Sequence, residues 1–266
     1  MEDYPDLGIK FDAAAGKALL EERAGLFSIL STVRTTELSL RAPGSEVWLA
    51  EQQKTREQRV YKFALDVDRL RALKREATLL RVLQDSLEDT SQVVEVLDWN
   101  FEVAPYFLEC KYGGPTLADW ADTHLSGLDT AARLALFLQI ADAVAAAHSV
   151  GVLHKDLKPA NVLVMGDAQQ PHVRLTDFGS GHLLEPDRLA QLGITRMGMT
   201  VEDSGGIGST SGTPLYIAPE HFEGQAPTVK SDVFALGILL YQLLAGRVGL
   251  PMASGWEAAI DDELLR

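Results

Sequence analysis

Residues 151–164 read GVLHKDLKPANVLV, which sets a histidine, a lysine, an aspartate and an asparagine at short fixed spacings. Two further segments follow along the chain, DFG at residues 177–179 and GTPLYIAPE at residues 212–220. Each segment alone is a weak signal, because such short combinations occur by chance in many proteins. In this order, and downstream of a strand lysine and a helix glutamate, they form one strong combined signal.

That lysine and glutamate are Lys62 and Glu76. Residues 59–65 are predicted to form a strand, and its period of two places Lys62 on one face with Val60 and Ala64. A predicted helix follows, whose apolar face carries Leu70, Leu73, Ala77 and Leu80 at helical spacing. Glu76 lies on the same face, and burying an unpaired carboxylate is costly. We therefore predict that Lys62 and Glu76 form an ion pair.

From about Thr36 onward, the sequence resembles the eukaryotic-type (Hanks-type) Ser/Thr protein kinase family on these motifs. The resemblance implies that Asp156 orients the substrate hydroxyl and accepts its proton. It also implies that Asn161 and Asp177 hold Mg²⁺, a hard cation that takes oxygen ligands. Lys62, paired with Glu76, matches the lysine that holds the α- and β-phosphates of ATP.

The substrate class follows from two further matches. Lys158 matches the lysine that contacts the γ-phosphate, and Thr213 matches a threonine that bonds to the catalytic loop. In the family, both mark kinases that act on serine and threonine. The implied partners are therefore protein substrates, and Ser209–Ser211 are a candidate autophosphorylation site, with a plain polar linker an equal alternative.

The adenine pocket also follows from the resemblance. Its apolar walls match Val47, Val60 and Leu163, and Leu108 falls at the back of the pocket. The Glu109 carbonyl and the Lys111 backbone amide are expected to bind the adenine edge. Cys110 is expected to be an unreactive small residue, and Asp232 matches a buried aspartate that ties a central helix to the catalytic loop.

The predicted fold is α+β with two lobes, a small mainly β N-lobe carrying helix αC and a mainly helical C-lobe. We expect an unassigned extension at residues 1–35, the N-lobe at 36–111 and the C-lobe at 112–266. The N-lobe begins with a predicted hairpin of residues 36–41 and 46–51. We expect the C-lobe to stop after the helices that the family calls αF and αG, with a last short helix at 254–265. Glu220 has no predicted partner, which favours a longer protein with a regulatory domain beyond residue 266.

Two departures from the family pattern concern phosphate binding and activation. Anchored on Val47, the three glycine positions of the phosphate loop hold Leu40, Ala42 and Ser45, and Gly44 lies off the pattern. Glycines let backbone N–H groups approach phosphates, so their loss is expected to weaken ATP binding. Lys155 replaces the arginine that holds a phosphorylated activation segment, and a lysine cannot copy the bidentate fork.

Composition narrows the class of protein. The 266 residues carry a net charge of −14. The sequence contains no run of lysine and arginine of the kind that predicts nucleic-acid binding. The single cysteine favours a reducing compartment, and the N-terminus does not resemble a signal peptide. The longest apolar stretch, residues 233–246, is too short to span a bilayer and predicts a helix buried all round. We expect a cytoplasmic protein, and the preference for alanine and arginine favours a bacterial source.

The sequence leaves two alternatives to an active kinase. A pseudokinase that binds nucleotide without turnover is favoured by the degenerate glycine loop. The intact set of lysine, glutamate, aspartates and asparagine argues against it. A small-molecule kinase of the aminoglycoside-phosphotransferase type ranks third, because such enzymes generally lack the DFG and APE segments found here.

Overall fold

The computed structural model describes residues 27–32, 45–52, 55–195, 214–222 and 224–250. Its first part is a five-stranded antiparallel sheet with one helix. The strands are β1 (Phe27–Thr32), β2 (Ser45–Gln52), β3 (Gln58–Ala64), β4 (Val96–Asn100) and β5 (Tyr106–Lys111), in the spatial order β1-β2-β3-β5-β4. Helix α1 (Val67–Ser86) lies between β3 and β4 in sequence. This sheet with its helix is the predicted N-lobe.

Helix α1 forms where the apolar spacing predicted it. Asp66 caps its N-terminus by accepting a hydrogen bond from the Arg69 N–H at 2.7 Å. The predicted apolar face is buried against the sheet, together with Glu76. The periodicity of the sequence was therefore sufficient to place this helix and its face.

The sheet reaches further toward the N-terminus than predicted. Strand β1 pairs antiparallel with β2, with Phe27 opposite Gln52 and Thr32 opposite Trp48. Residues 27–32 were predicted to lie in the N-terminal extension, whereas they form a strand of the sheet. The predicted N-lobe boundary at residue 36 therefore needs correction. The predicted strand at 36–41 lies outside the described residues, whereas its partner at 46–51 is confirmed as β2.

The second part of the chain is mainly helical. Its elements are α2 (Leu117–His124), α3 (Thr130–Ser149), β6 (Val152–Leu153), β7 (Val162–Met165), β8 (His172–Leu175), β9 (His182–Leu183), α4 (Asp187–Gln191), α5 (Pro219–Phe222) and α6 (Val229–Leu244). The short strands pair as β6 with β9 and β7 with β8. Strands β6 and β8 pack on helix α3, which also packs on α6.

The composition of helix α6 predicted burial on all sides, but the helix is only partly buried. Ala235, Ile238 and Leu239 are buried, but Val233 is 54% exposed. Among the described helices, α3 is long and apolar enough by length and composition alone to cross a membrane. It packs on α6 and β8 through a buried stripe that includes Ile140, as a core helix does. The last predicted helix, at 254–265, lies outside the described residues.

Candidate active site

The predicted ion pair is present between strand β3 and helix α1. The Lys62 Nζ lies 2.6 Å from the Glu76 Oε1, and the Glu76 side chain is 1% exposed. Burial alone lowers the pKa of Lys62, but the carboxylates of Glu76 and Asp177 outweigh it and raise that pKa. The lysine is therefore held protonated inside the cleft.

The same glutamate also holds the start of the DFG segment. Its Oε1 accepts a hydrogen bond from the Asp177 N–H at 3.0 Å. Asp177 has φ 62° and ψ 61°, a left-handed conformation that aspartate tolerates better than most residues. Arg75, the residue before Glu76 on α1, donates to the Gly179 carbonyl at 3.0 Å. Helix α1 is thus docked on the DFG segment in the position that the Lys62–Glu76 pair requires.

The catalytic loop brings Asp156, Lys158 and Asn161 together. Lys158 Nζ donates to the Asp156 Oδ2 at 2.7 Å. The Asn161 Nδ2 donates to the Asp156 carbonyl at 2.7 Å and to its Oδ2 at 3.1 Å. Burial raises the pKa of Asp156, an effect that Lys158 only partly offsets. A carboxylate with a raised pKa is better suited to accept a proton in the transition state.

Asp232, on helix α6, holds the catalytic loop, as the resemblance implied. Its two oxygens accept hydrogen bonds from the backbone N–H of His154 at 2.9 Å and of Lys155 at 2.8 Å. His148 bonds to the same carboxylate at 2.8 Å. Burial raises the pKa of Asp232, but the His148 bond and the two backbone bonds outweigh it and lower the pKa. The role of His148 was not predicted, because a histidine near a helix end has no distinctive signal.

The catalytic loop and the DFG segment are also joined through a buried histidine. The His154 Nε2 lies 3.0 Å from the Thr176 carbonyl, and its ring packs on Phe178 at 4.6 Å between centroids. The Thr176 N–H donates to the Asn161 carbonyl at 3.1 Å. The sequence marked His154 only as part of a motif. In the structure it connects the two halves of the site.

The donor set at Asn161 and Asp177 fits a hard divalent cation. The Asn161 amide nitrogen is committed to Asp156, so the amide oxygen is the atom available to a ligand. Burial raises the pKa of Asp177, but Lys62 and Lys158 outweigh it and lower the pKa, so this carboxylate is ionised. Within the described ranges, no group of three or more His, Cys, Asp or Glu residues clusters as a metal site. One carboxylate and one amide suit Mg²⁺, which keeps several waters.

The apolar walls of the predicted adenine pocket flank this site. Val47 pairs with Lys62 across β2 and β3, and Val60 lies two residues before that lysine. Leu163, on β7, packs against the apolar cluster between α1 and the sheet, which includes Cys110. All three side chains are half-buried, as expected for the walls of an open cleft.

The prediction that Glu109 and Lys111 hydrogen-bond to adenine, in the segment joining the two lobes (the hinge), needs correction. Glu109 lies within β5, opposite Tyr61 of β3 and Asp98 of β4, so its backbone groups face neighbouring strands. The Lys111 N–H donates to the Glu95 carbonyl at 2.9 Å and is not available to adenine. The Glu109 side chain instead accepts from Arg59 at 2.6 Å and is 3% exposed. Both residues therefore belong to strand β5, and these two backbone groups do not supply the adenine hydrogen bonds that were predicted.

The residue beside the pocket also lies later in the sequence than predicted. Leu108 pairs with Lys62 and is fully buried. Cys110, two residues later, pairs with Val60, the predicted upper wall. Burial raises the pKa of the Cys110 thiol to about 12, in agreement with the expected unreactive residue. Cys110, and not Leu108, therefore lies beside the wall of the pocket.

Several predicted features fall outside the described residues. They are the phosphate-loop positions Leu40, Ala42 and Gly44, together with Thr213 and Ser209–Ser211. Ser45 is described only through its backbone, which pairs with Ala64. Glu220, for which no partner was predicted, accepts a hydrogen bond from the Ser231 hydroxyl at 2.9 Å.

Comparison with known proteins agrees with this geometry. A sequence profile described as protein kinase domain matches residues 44–263. The chain is 44% identical over 120 residues to serine/threonine-protein kinase PkaA of Streptomyces coelicolor, which covers 45% of the chain and 19% of that protein. It is 35% identical over 145 residues to serine/threonine-protein kinase Pkn1 of Myxococcus xanthus, covering 54% and 18%.

A eukaryotic relative is matched as well. Identity to eukaryotic translation initiation factor 2-alpha kinase 3 of Rattus norvegicus is 37% over 130 residues, covering 48% of the chain and 11% of that protein. The chain thus spans about a fifth or less of the length of these relatives.

Proposed function

Because the chain belongs to the protein kinase domain family, we propose that it transfers the γ-phosphoryl group of Mg²⁺-ATP to serine and threonine hydroxyls of proteins. One observation carries this proposal. Glu76 bonds both to the Lys62 Nζ at 2.6 Å and to the Asp177 N–H at 3.0 Å. A phosphate-binding lysine and a metal-binding aspartate are thereby held by one carboxylate, which favours an assembled catalytic site over a degenerate one.

Asp156 receives the substrate hydroxyl in this mechanism. Both Lys158 and Asn161 donate to its Oδ2, so Oδ1 is the oxygen that we assign to the hydroxyl proton. The two donors fix the carboxylate in one orientation, which lowers the entropic cost of aligning the attacking oxygen. The raised pKa of Asp156 favours its acceptance of the proton as the O–P bond forms.

Charge neutralisation comes from the two lysines and the metal ligands. Lys62, kept protonated by Glu76 and Asp177, is positioned for the α- and β-phosphates. Lys158, two residues after Asp156, is positioned for the γ-phosphate. Asn161 and Asp177 would hold Mg²⁺, which, when bound, neutralises charge on the phosphate oxygens. The site therefore relies on positioning and electrostatics, as phosphoryl transfer requires.

For adenine, we propose that the hinge contacts lie two residues later than the sequence indicated, at the Lys111 carbonyl and the Gly113 N–H. Gly113 is the first glycine after β5, and a Cβ on it would lie 2.7 Å from Leu163 Cδ1. The backbone at Gly113 therefore approaches the lower wall of the pocket closely. This shift matches the position of Cys110 beside Val60.

The partners and location proposed for the whole protein rest on coarser grounds. The relatives named above are several times longer than the matched stretch, which supports further domains in the complete protein. A cytoplasmic location is favoured by the single buried cysteine and by the supply of ATP there. Autophosphorylation at Ser209–Ser211 is proposed as one reaction of the enzyme.

A peptide assay tests the substrate class. Degenerate peptides with serine, threonine or tyrosine as the sole acceptor would be incubated with the chain and Mg²⁺-ATP. We expect phosphate in the serine and threonine pools, lost in Asp156→Asn and retained in the exposed control Asp142→Asn. Transfer to tyrosine alone would contradict the assigned class. Equal transfer by Asp156→Asn would contradict the role given to that carboxylate.

A further inference from the structure

Two adjacent residues of helix α1 hold the DFG segment, one near each of its ends. The Glu76 Oε1 accepts a hydrogen bond from the Asp177 N–H at 3.0 Å. The Arg75 Nη1 donates a hydrogen bond to the Gly179 carbonyl, also at 3.0 Å. The two contacts thus lie on either side of the Asp177 side chain, which is the carboxylate proposed for Mg²⁺.

Helix α1 and this part of the chain also approach each other closely. A Cβ on Gly179 would lie 3.4 Å from both the Cβ and the carbonyl oxygen of Ala72. A Cβ on Gly181 would lie 2.6 Å from the Leu79 Cδ1. Because such close-packed contacts leave no space, the segment cannot move toward the helix, and the two hydrogen bonds oppose its movement away.

The conformation of Asp177 is one that needs such support. Its φ of 62° and ψ of 61° lie in the left-handed region, which residues other than glycine enter at a cost. A residue keeps such a conformation where its surroundings over-determine it. The buried Phe178 ring packs on His154 and fixes the middle of the segment. A ring contact does not orient the carbonyl group of the next residue, whereas the hydrogen bond from Arg75 does.

The two contacts differ in how they relate to a bound nucleotide. The Glu76 carboxylate is shared, because its Oε1 also lies 2.6 Å from the Nζ of Lys62, the lysine proposed for the α- and β-phosphates. Arg75 reaches the segment through a separate side chain, whose guanidinium stays charged at any pH the protein meets. Its hydrogen bond therefore holds the segment whether or not Lys62 is engaged by phosphate.

We propose that Arg75 is a positioning residue for phosphoryl transfer: by holding the Gly179 carbonyl, it keeps Asp177 in the conformation that binds Mg²⁺. The inference rests on the proposed function and adds to it a residue outside the motifs of the site. Removing a group that orients a metal-ligating side chain typically costs about 10–100-fold in metal affinity. Loss of Arg75 should therefore weaken Mg²⁺ binding and leave adenine binding unchanged.

Amide hydrogen exchange of the nucleotide-free chain tests the contact without relying on activity. Arg75→Met removes the donor and keeps an unbranched, helix-forming side chain. Arg71→Met is the matched control, because it removes the same group from an exposed position on the same helix. In Arg75→Met alone, peptides covering residues 176–181 should exchange at least about tenfold faster, because one charge-assisted hydrogen bond is lost. Exchange at the wild-type rate, or equally fast exchange in the control, would overturn the proposal.

Binding of the fluorescent nucleotide MANT-ADP, in EDTA and across a Mg²⁺ titration, tests the consequence. In EDTA, the Kd should be the same for the wild type and both variants. The Mg²⁺ concentration that gives half of the metal-dependent gain in affinity should rise at least about tenfold in Arg75→Met alone. An unchanged Mg²⁺ titration, or an equal loss of affinity in EDTA, would overturn the proposal.

Arg75→Gln, a shorter polar helix former, repeats both measurements if Arg75→Met fails to fold. Neither readout requires phosphoryl transfer, so the two proposals can fail separately. A chain that gives both expected results and yet transfers no phosphate would contradict the proposed function and not the role of Arg75 in holding Asp177.

Discussion

Replacing Lys62 with methionine leaves the Glu76 carboxylate without its cation at a position where that side chain is 1% exposed. Removing one partner of a buried ion pair costs about 3–5 kcal/mol of folding free energy. The pKa of Glu76 is already raised by burial, and Lys62 opposes that shift. Without the lysine, the pKa rises further, because the neighbouring Asp177 carboxylate acts in the same direction as burial.

The stability deficit of Lys62→Met should therefore depend on pH. A carboxyl group whose folded-state pKa exceeds its unfolded value is neutral in both states at low pH, so it costs nothing there. As pH rises toward the folded-state pKa, the cost grows by at most about 1.4 kcal/mol per pH unit for one proton. Between pH 5.5 and pH 8.0 the deficit should widen by up to roughly 3 kcal/mol.

Urea unfolding of the wild type and the variant at pH 5.5, 6.5 and 8.0 measures this widening. Lys230→Met, at an exposed position on α6, is the control and should show no pH-dependent deficit. A deficit of Lys62→Met that is equal at all three pH values, or larger at pH 5.5, would refute the placement of Glu76 as a buried carboxylate that depends on Lys62.

Three further changes test the remainder of the site. Gly113→Val forces Leu163, whose Cδ1 would lie 2.7 Å from the new Cβ, toward the adenine pocket. The KM for ATP should rise at least about tenfold. Gly127→Val, with no atom within 4 Å of its added Cβ, should leave KM unchanged, and equal effects would contradict the hinge proposal. Asn161→Ala should raise the Mg²⁺ concentration for half-maximal activity at least about tenfold, and an unchanged titration would remove it from the metal site. Asp232→Ala leaves two backbone N–H groups without an acceptor, so thermal unfolding should show a loss of about 2–6 kcal/mol, and an unchanged midpoint would oppose its anchoring role.

The ion pair was predictable because local rules decided both of its members. A period of two fixed the face of Lys62, and helical spacing fixed the face of Glu76. The cost of burying either charge alone then required them to meet. Their 2.6 Å contact confirms that chain of reasoning.

The hinge could not be placed by the same rules. A shift of two residues along a strand keeps every side chain on its original face. Leu108 and Cys110 therefore satisfy the apolar pattern equally well, as do Glu109 and Lys111 on the opposite side. Only the register between β3 and β5, which is a tertiary property, places Cys110 beside Val60.

The first strand was missed for a related reason. Pairing with β2 identifies Phe27–Thr32 as a strand of the sheet, and that pairing is a tertiary property that the sequence of residues 27–32 does not state. Helix α6 shows a further limit of composition, since apolar residues all round predicted complete burial but Val233 is 54% exposed. Burial depends on what packs against each face, which the helix sequence alone does not state.

Intact-protein mass after incubation with Mg²⁺-ATP, for the wild type and for Asp156→Asn, tests the catalytic site most directly. We predict added mass in units of one phosphate in the wild type alone, with peptide mapping to show whether Ser209–Ser211 are the acceptors. Added mass in both proteins would contradict the role of Asp156. No added mass in either, with ATP binding still detectable by thermal shift and a longer chain equally inactive, would contradict phosphoryl transfer and favour a nucleotide-binding scaffold.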